Sequence, residues 1–256
     1  VVRKFDCVSQ VAAYDSVVSS HAPATRRYRQ LCGIATALDV IGDRWAALVV
    51  RDLMLGPQRF GDLVEGLPGV GTNTLTARLK QLEGSGVVRR RVLPLPDRGT
   101  VYELTAYGRE LEPILLALGR WGTKSMGRLS SDVASRSRWL VAAMLAFHDE
   151  DHRVARSTIW ELRLTDGSFT IEADGTNMTA SGGPPEHADL VVTTRDEHLH
   201  RLLTRQLSPD DAVASGVVTL EGEAAALPRL VELFSFPTLD ELTAEPDPPA
   251  PSRRVD

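Results

Sequence analysis

The stretch from Leu31 to Gly122 constrains the fold more than any other part of the chain. Apolar periodicity predicts one helix over Leu31–Ile41, stopped by Gly42, and a second over Arg44–Leu55. Asp43 is the expected N-cap of the second helix, and Trp45, Leu48, Val49 and Leu53 form its apolar stripe. Gly56-Pro57 ends it, Phe60–Glu65 is a short third helix, and Pro68-Gly69 turns the chain into a fourth over Thr72–Glu83. Gly84 and Gly86 close that helix. A strand pair, Val87–Leu93 and Thr100–Leu104, follows at once, joined by the turn from Pro94 to Gly99. Thr105 caps a last helix reaching Trp121, within which Pro113 predicts a kink or a later start.

The fourth helix is unusual in its faces. Leu75, Leu79 and Leu82 repeat at i, i+4 and i+7 and form an anchor. Thr72, Asn73, Thr74, Thr76, Ala77, Arg78 and Lys80 occupy the other faces. Asn pairs bidentately with adenine, Arg with guanine, and Thr meets a thymine methyl or a phosphate. Helix N-terminal amides add phosphate affinity. Arg89, Arg90, Arg91 and Arg98 give the following hairpin a positive charge, and strand alternation puts Arg89 and Arg91 on the face opposite Arg90. An amphipathic helix with Arg and Lys is usually just a solvated face. The succession of helix, turn, helix and basic hairpin favours a DNA groove instead.

Charge supports a division of labour. The chain carries a net charge of −5, yet residues 26–129 hold 16 Lys/Arg against 10 Asp/Glu, and residues 130–256 hold 11 against 22. A basic half joined to an acidic half points to a polyanionic partner for the first only. A length of 256 residues favours two domains. The reading is a poorly patterned N-terminal extension over 1–28, a DNA-binding domain over 29–123, a linker over 124–134, a second domain over 135–238, and a disordered Pro- and charge-rich tail over 239–256. No apolar run approaches the ~20 residues that span a bilayer, and Asp6, Gln10 and Asp15 interrupt any signal-like core. Two cysteines, Cys7 and Cys32, make no disulfide framework. The expected location is therefore cytoplasmic, with no membrane partner.

Several spaced motifs then carry a family resemblance. Leu31-Cys32-Gly33, the run Ala37 to Trp45, the run Gly56 to Leu63, Leu67-Pro68-Gly69-Val70 and Leu75-Thr76-Ala77-Arg78-Leu79 resemble HxlR-type winged helix-turn-helix regulators. So do Tyr102-Glu103-Leu104-Thr105, Gly108 and Trp121-Gly122. The resemblance implies a homodimer on a near-palindromic double-stranded operator, with the first and last helices of the domain carrying the dimer contact. It implies that Thr72–Arg78 reads bases and that Arg59 lies near the DNA backbone. The candidate DNA-binding set is Arg59, Thr72, Asn73, Thr74, Thr76, Arg78, Lys80, Arg89, Arg91 and Arg98. The chain departs from the family where Asp43-Arg44 precedes the Trp, and where Gly71 and Asn73 replace a usual Ser and Lys. The operator sequence is thereby open. Cys32 stands where the family commonly has a cysteine that some members use to sense oxidants or electrophiles. The alternative is a small residue packed at the dimer interface.

The second half has a different alphabet. A helix over Trp139–Phe147 precedes strands over Thr158–Leu164 and Ser168–Ala173 around the hairpin signal Asp166-Gly167. Further strands fall at Asn177–Ala180, Ala188–Thr193 and Val217–Glu221, with helices at Asp196–Thr204, after Ser208-Pro209, and at Ala224–Phe234. No catalytic set assembles. His148 and His152 have helical spacing, but Asp149 stands where a metalloprotease needs Glu. His198 and His200 fall on different helix faces, and the run Ser181 to Pro185 is a turn without a phosphate-loop Lys. No metal, cofactor or enzymatic activity is expected.

The element order here is similar to sterol carrier protein-like domains. Ile159-Trp160-Glu161-Leu162, Asp166-Gly167-Ser168-Phe169, the run Asp189 to Thr193, and Ser208-Pro209 through Gly222 carry the likeness. It implies an apolar tunnel, for which Trp160, Phe169, Leu203 and Phe234 are the candidate lining. The fold class expected is α+β: a winged helix-turn-helix domain followed by a sheet-and-helix domain. The leading function is a ligand-responsive regulator, a repressor in the simplest case, bound by a lipophilic small molecule in the second domain. The alternatives are a lipid carrier tethered to DNA and a redox-sensing regulator acting through Cys32.

Overall fold

A computed structural model describes residues 27–125, 136–149 and 151–237. The N-terminal extension to residue 26, most of the expected linker, and the tail from 238 lie outside the described residues. The chain divides into two compact units, Val1–Leu115 and Leu116–Asp256.

The first unit opens with α1 (Gly33–Ile41), α2 (Ala46–Met54), a two-residue strand β1 (Gln58–Arg59), α3 (Phe60–Gly66) and α4 (Thr72–Gly84). The hairpin strands β2 (Val88–Leu93) and β3 (Gly99–Leu104) follow, then α5 (Ala106–Arg109) and α6 (Glu112–Thr123), which crosses the divide between the units. The three leucines of α4 are fully buried with Val49, Val50 and Leu53 of α2 and with Leu63 and Leu67. Each such side chain contributes about 1.5–3 kcal/mol by leaving water.

Three local details differ from the sequence expectation or refine it. Asp43 does not cap α2: the helix starts later, its N-cap position falls on Trp45, and the Asp43 carboxylate is taken by Arg78. A tertiary ion pair has outcompeted a local cap. Strand β1 was not foreseen, because two residues are too few to show alternation; it pairs Gln58 with Tyr102 and Arg59 with Val101, giving the sheet order β1-β3-β2. Pro113 divides the last helix as expected, and it falls at the second position of α6, where its missing N–H costs nothing. The Thr105 hydroxyl does cap α5, accepting from Gly108 N at 3.0 Å. Gly108 itself is required, since a Cβ there would overlap the Val87 carbonyl oxygen.

The second unit is built on a five-stranded sheet. Its elements are α7 (Ser137–Ala146), β4 (Val154–Leu164), β5 (Gly167–Gly175), β6 (Asn177–Gly182), β7 (Leu190–Thr194), α8 (Asp196–Leu203), α9 (Pro209–Ala214), β8 (Val218–Gly222) and α10 (Ala226–Glu232). The strand order is β6-β5-β4-β7-β8, with β4 and β7 parallel and the other pairs antiparallel. Alternation sorts the faces. Trp160, Leu162, Phe169, Ile171, Leu190, Val192 and Val218 point to one side and are buried with Leu199, Leu203, Leu227 and Leu230 of the helices. The Trp160 indole N–H donates to the Ala226 carbonyl at 3.0 Å, which satisfies its one polar atom inside this core.

The opposite sheet face is polar. Arg163 donates through Nε and Nη2 to both oxygens of Glu161, at 3.0 and 3.1 Å, and through Nη1 to Glu221 on β8 at 2.9 Å. Ser168 adds a bond to Glu161 at 2.7 Å. The hydrogen bond from Arg163 holds the Glu161 carboxyl below its ordinary range, outweighing the partial burial that would raise it. The architecture is α+β, a winged helix-turn-helix unit followed by a sheet covered on one face by helices. No helix among the described residues is long and apolar enough to cross a membrane.

Candidate nucleic-acid interface

Burying Leu75, Leu79 and Leu82 turns the rest of α4 outward. Thr72, Asn73, Thr74, Thr76, Ala77 and Lys80 are all exposed. Asn73, Thr76, Ala77 and Lys80 follow one another at i, i+3, i+4 and i+7 and so share a helix face. The Thr76 hydroxyl donates to the Thr72 carbonyl at 2.8 Å, leaving its methyl free to meet a partner. The Lys80 side chain makes no ion pair or hydrogen bond among the described residues.

Arg78 is placed differently. It is half-buried, and its guanidinium pairs with Asp43 and donates to Gln81. Gln81 in turn donates to the carbonyls of Asp39 and Val40 at 3.3 Å each. Arg78 and Gln81 thus tie α4 to the end of α1 and to the turn after it, away from the face of Asn73 and Lys80. The Asp43 contact of Arg78 and the Gln81 contacts with Asp39 and Val40 were not foreseen from the sequence, because each joins segments far apart along the chain.

The wing arginines are also engaged. The hairpin register sets Arg89 opposite Glu103 and Arg91 opposite Val101. Arg89 and Arg91 donate to the two oxygens of Glu103, at 2.8 and 2.9 Å. They share a face as alternation requires, and Arg90, on the other face, pairs with Glu83 at 3.4 Å. Glu103 was not foreseen as their partner from the sequence: a turn over Pro94–Gly99 would count outward to set Glu103 opposite Arg90, whereas the ladder closes one residue earlier, at Leu93 and Gly99. Burial alone would raise the Glu103 carboxyl, but hydrogen bonds from Arg91 and Arg89, and their charges, outweigh it and hold the group below its ordinary value.

At the wing tip, Arg98 is exposed and its side chain has no partner among the described residues, while its carbonyl accepts from Arg59. Val92 and Leu95 are the exposed apolar residues beside it. Lys80 and Arg98 are therefore the cations of the sequence-derived set that stand open to a phosphate. Cys32 sits at the N-cap of α1, exposed, with its carbonyl accepting from Thr36 N and Oγ1.

In the second unit, Trp160, Phe169, Leu203 and Phe234 all lie in the closed core, none more than 3% exposed. An open groove of about 1130 Å³ lies elsewhere in this unit, and none of the four borders it. Leu140, Leu164 and Val217 give it apolar walls, and Arg195, His198 and Arg201 are among its polar ones.

The chain matches two family models: the HxlR-like helix-turn-helix family over residues 40–130, and the SCP-2 sterol transfer family over residues 148–235. It is 37% identical to the uncharacterized HTH-type transcriptional regulator sll1512 of Synechocystis over 45% of this chain and 86% of that protein. It is 41% identical to the uncharacterized HTH-type transcriptional regulator YvaP of Bacillus subtilis, covering 34% of this chain and 82% of that one. Among solved structures, the reduced form of the transcriptional regulator YodB from B. subtilis aligns at 32% identity over 37% of this chain and 94% of that chain, with a TM-score of 0.34.

Glu103 makes the wing's charge balance titratable. A carboxyl held below its unfolded value contributes stability that is present above the ordinary carboxylate value of about 4.5 and is lost as pH falls through the lower folded value. The full-length protein should therefore lose wing protection in hydrogen exchange below that pH. Glu103→Gln should be less protected at neutral pH and flat across the acid range. A wild-type wing indifferent to pH there would refute the pairing.

Proposed function

Because the chain belongs to the HxlR-like helix-turn-helix family, we propose that it is a transcriptional repressor that binds double-stranded operator DNA as a homodimer. The observation that carries this reading is the two-faced α4. Three buried leucines fix it and turn Asn73, Thr76, Ala77 and Lys80 to solvent on one face, where the Lys80 side chain has no partner among the described residues. A helix so presented, with Thr72 and Thr74 at its amino end, fits the major groove. Asn73 supplies base readout, and Lys80 and Arg98 supply phosphate contact. The test is a duplex selected by the protein from a random-sequence pool. Lys80→Ala should weaken binding to all duplexes and lower the salt slope by about one per subunit, while Asn73→Ala should relax preference at one base pair of each half-site. Equal affinity of both variants and the wild type at two salt concentrations would end the assignment.

The homodimer reading rests on two apolar surfaces. Leu31, Ile34 and Leu38 stand exposed at and along α1, and Ile114, Leu118 and Trp121 at i, i+4 and i+7 stand exposed along α6. A helix stripe of that kind is normally covered. Ile34→Glu with Leu118→Glu should give a folded monomer by light scattering and a large loss of duplex affinity. A variant that stays dimeric would place the interface elsewhere.

The second unit is read as the seat of a lipophilic effector, on the strength of its match to the SCP-2 sterol transfer family. Such a ligand shifts DNA affinity only if it prefers one state of the protein. Native mass spectrometry of the full chain should show a bound apolar small molecule, and sterol or fatty-acid probes should change the duplex Kd. A Kd unmoved by saturating probe would remove the effector from the reading.

A further inference from the structure

We propose that Arg59 is a positioning residue of the wing: its guanidinium fixes the turn that carries Arg98, and it acts on DNA through that turn. The proposal rests on the DNA-binding reading above.

Three observations meet at this residue. Arg59 is the last residue of β1, paired with Val101, and its own N–H donates to the Asp62 carboxylate of α3 at 3.0 Å. Its Cα is therefore held between a sheet and a helix start. From there Nη1 donates to the Arg98 carbonyl at 3.0 Å and Nη2 to the Asp97 carbonyl at 3.1 Å. Both acceptors belong to consecutive residues of the wing turn, 39 and 38 positions away in sequence. The next residue is Gly99, at φ +153°, where any Cβ would overlap Arg59 Nη1. A planar fork, two adjacent carbonyls and a position emptied of side chain form one device.

The device matters because the turn has little else to hold it. Residues 94–98 are exposed, and the strand ladder ends at the Leu93–Gly99 pair. Without the fork, the Arg98 backbone would sample many conformations, and ordering it on DNA would cost affinity. Lysine carries the same charge, but its compact ammonium does not reproduce a rigid two-pronged fork. That difference separates positioning from direct phosphate contact by Arg59 itself, which charge alone would serve.

The experiment uses the full chain. Hydrogen exchange without DNA should show faster exchange at the wing-turn amides in Arg59→Lys and in Gly99→Ala, with overall Tm retained in at least the first. On a duplex selected by the wild type from a random pool, Arg59→Lys should lose about tenfold in affinity and lower the salt slope by about one per subunit, as Arg98→Ala does. The double variant should bind no worse than Arg98→Ala. Full affinity in Arg59→Lys, multiplying losses in the double variant, or unchanged exchange at the turn would each overturn the proposal while leaving DNA binding intact. If no duplex is selected at all, the DNA-binding reading fails and the proposal falls with it.

Discussion

The burial of Leu75, Leu79 and Leu82, on a helix packed against α1, α2 and β2, is the constraint from which the first unit follows. It fixes the rotation of α4 about its own axis, and with it which side chains meet solvent. Once those leucines are inside, Asn73, Thr76, Ala77 and Lys80 have no choice but to face out, and Arg78 is carried round to the side where Asp43 and Gln81 take it. The hairpin then docks through Val88, Val101 and Leu104, which share the same core. The exposed polar face of α4 is thus what remains when packing has finished.

Charge alone gives a poorer account of that surface. The first half has a large excess of arginine, yet Arg78, Arg89, Arg90 and Arg91 all have carboxylate partners within the unit. Pairs whose arginine stays open to solvent, as those of Arg89, Arg90 and Arg91 do, are screened and worth about 1 kcal/mol each, so their main effect is on direction and potential. Glu103 halves the charge that Arg89 and Arg91 present, and Arg59 spends part of its fork on the wing's own backbone. The polar sheet face of the second unit repeats the pattern, with Arg163 shared between Glu161 and Glu221.

Much of this was legible in the sequence where the governing contact is local. Thr105 as a cap, the Asp166-Gly167 hairpin, the interruption at Pro113 and the leucine stripe of α4 all depend on neighbours a few residues away. The alternation that separates Arg90 from Arg89 and Arg91 was legible for the same reason. What was not legible depends on chain segments brought together by the fold. Asp43 looked like a cap until Arg78 arrived from α4. Arg59 looked like a phosphate contact by family likeness, and nothing near it in sequence announces the carbonyls of Asp97 and Arg98. Family likeness made Trp160, Phe169, Leu203 and Phe234 the expected tunnel lining, and side-chain type alone does not distinguish a solid core from a cavity wall.

The separation of faces on α4 has a consequence for how a lineage built on this unit diversifies. Substitutions at Asn73, Thr76, Ala77 or Lys80 touch no buried atom, so mutational drift there is nearly free of folding cost. The leucines behind them tolerate almost nothing. A duplicated copy can therefore change the chemistry of this outward face while its scaffold stays frozen.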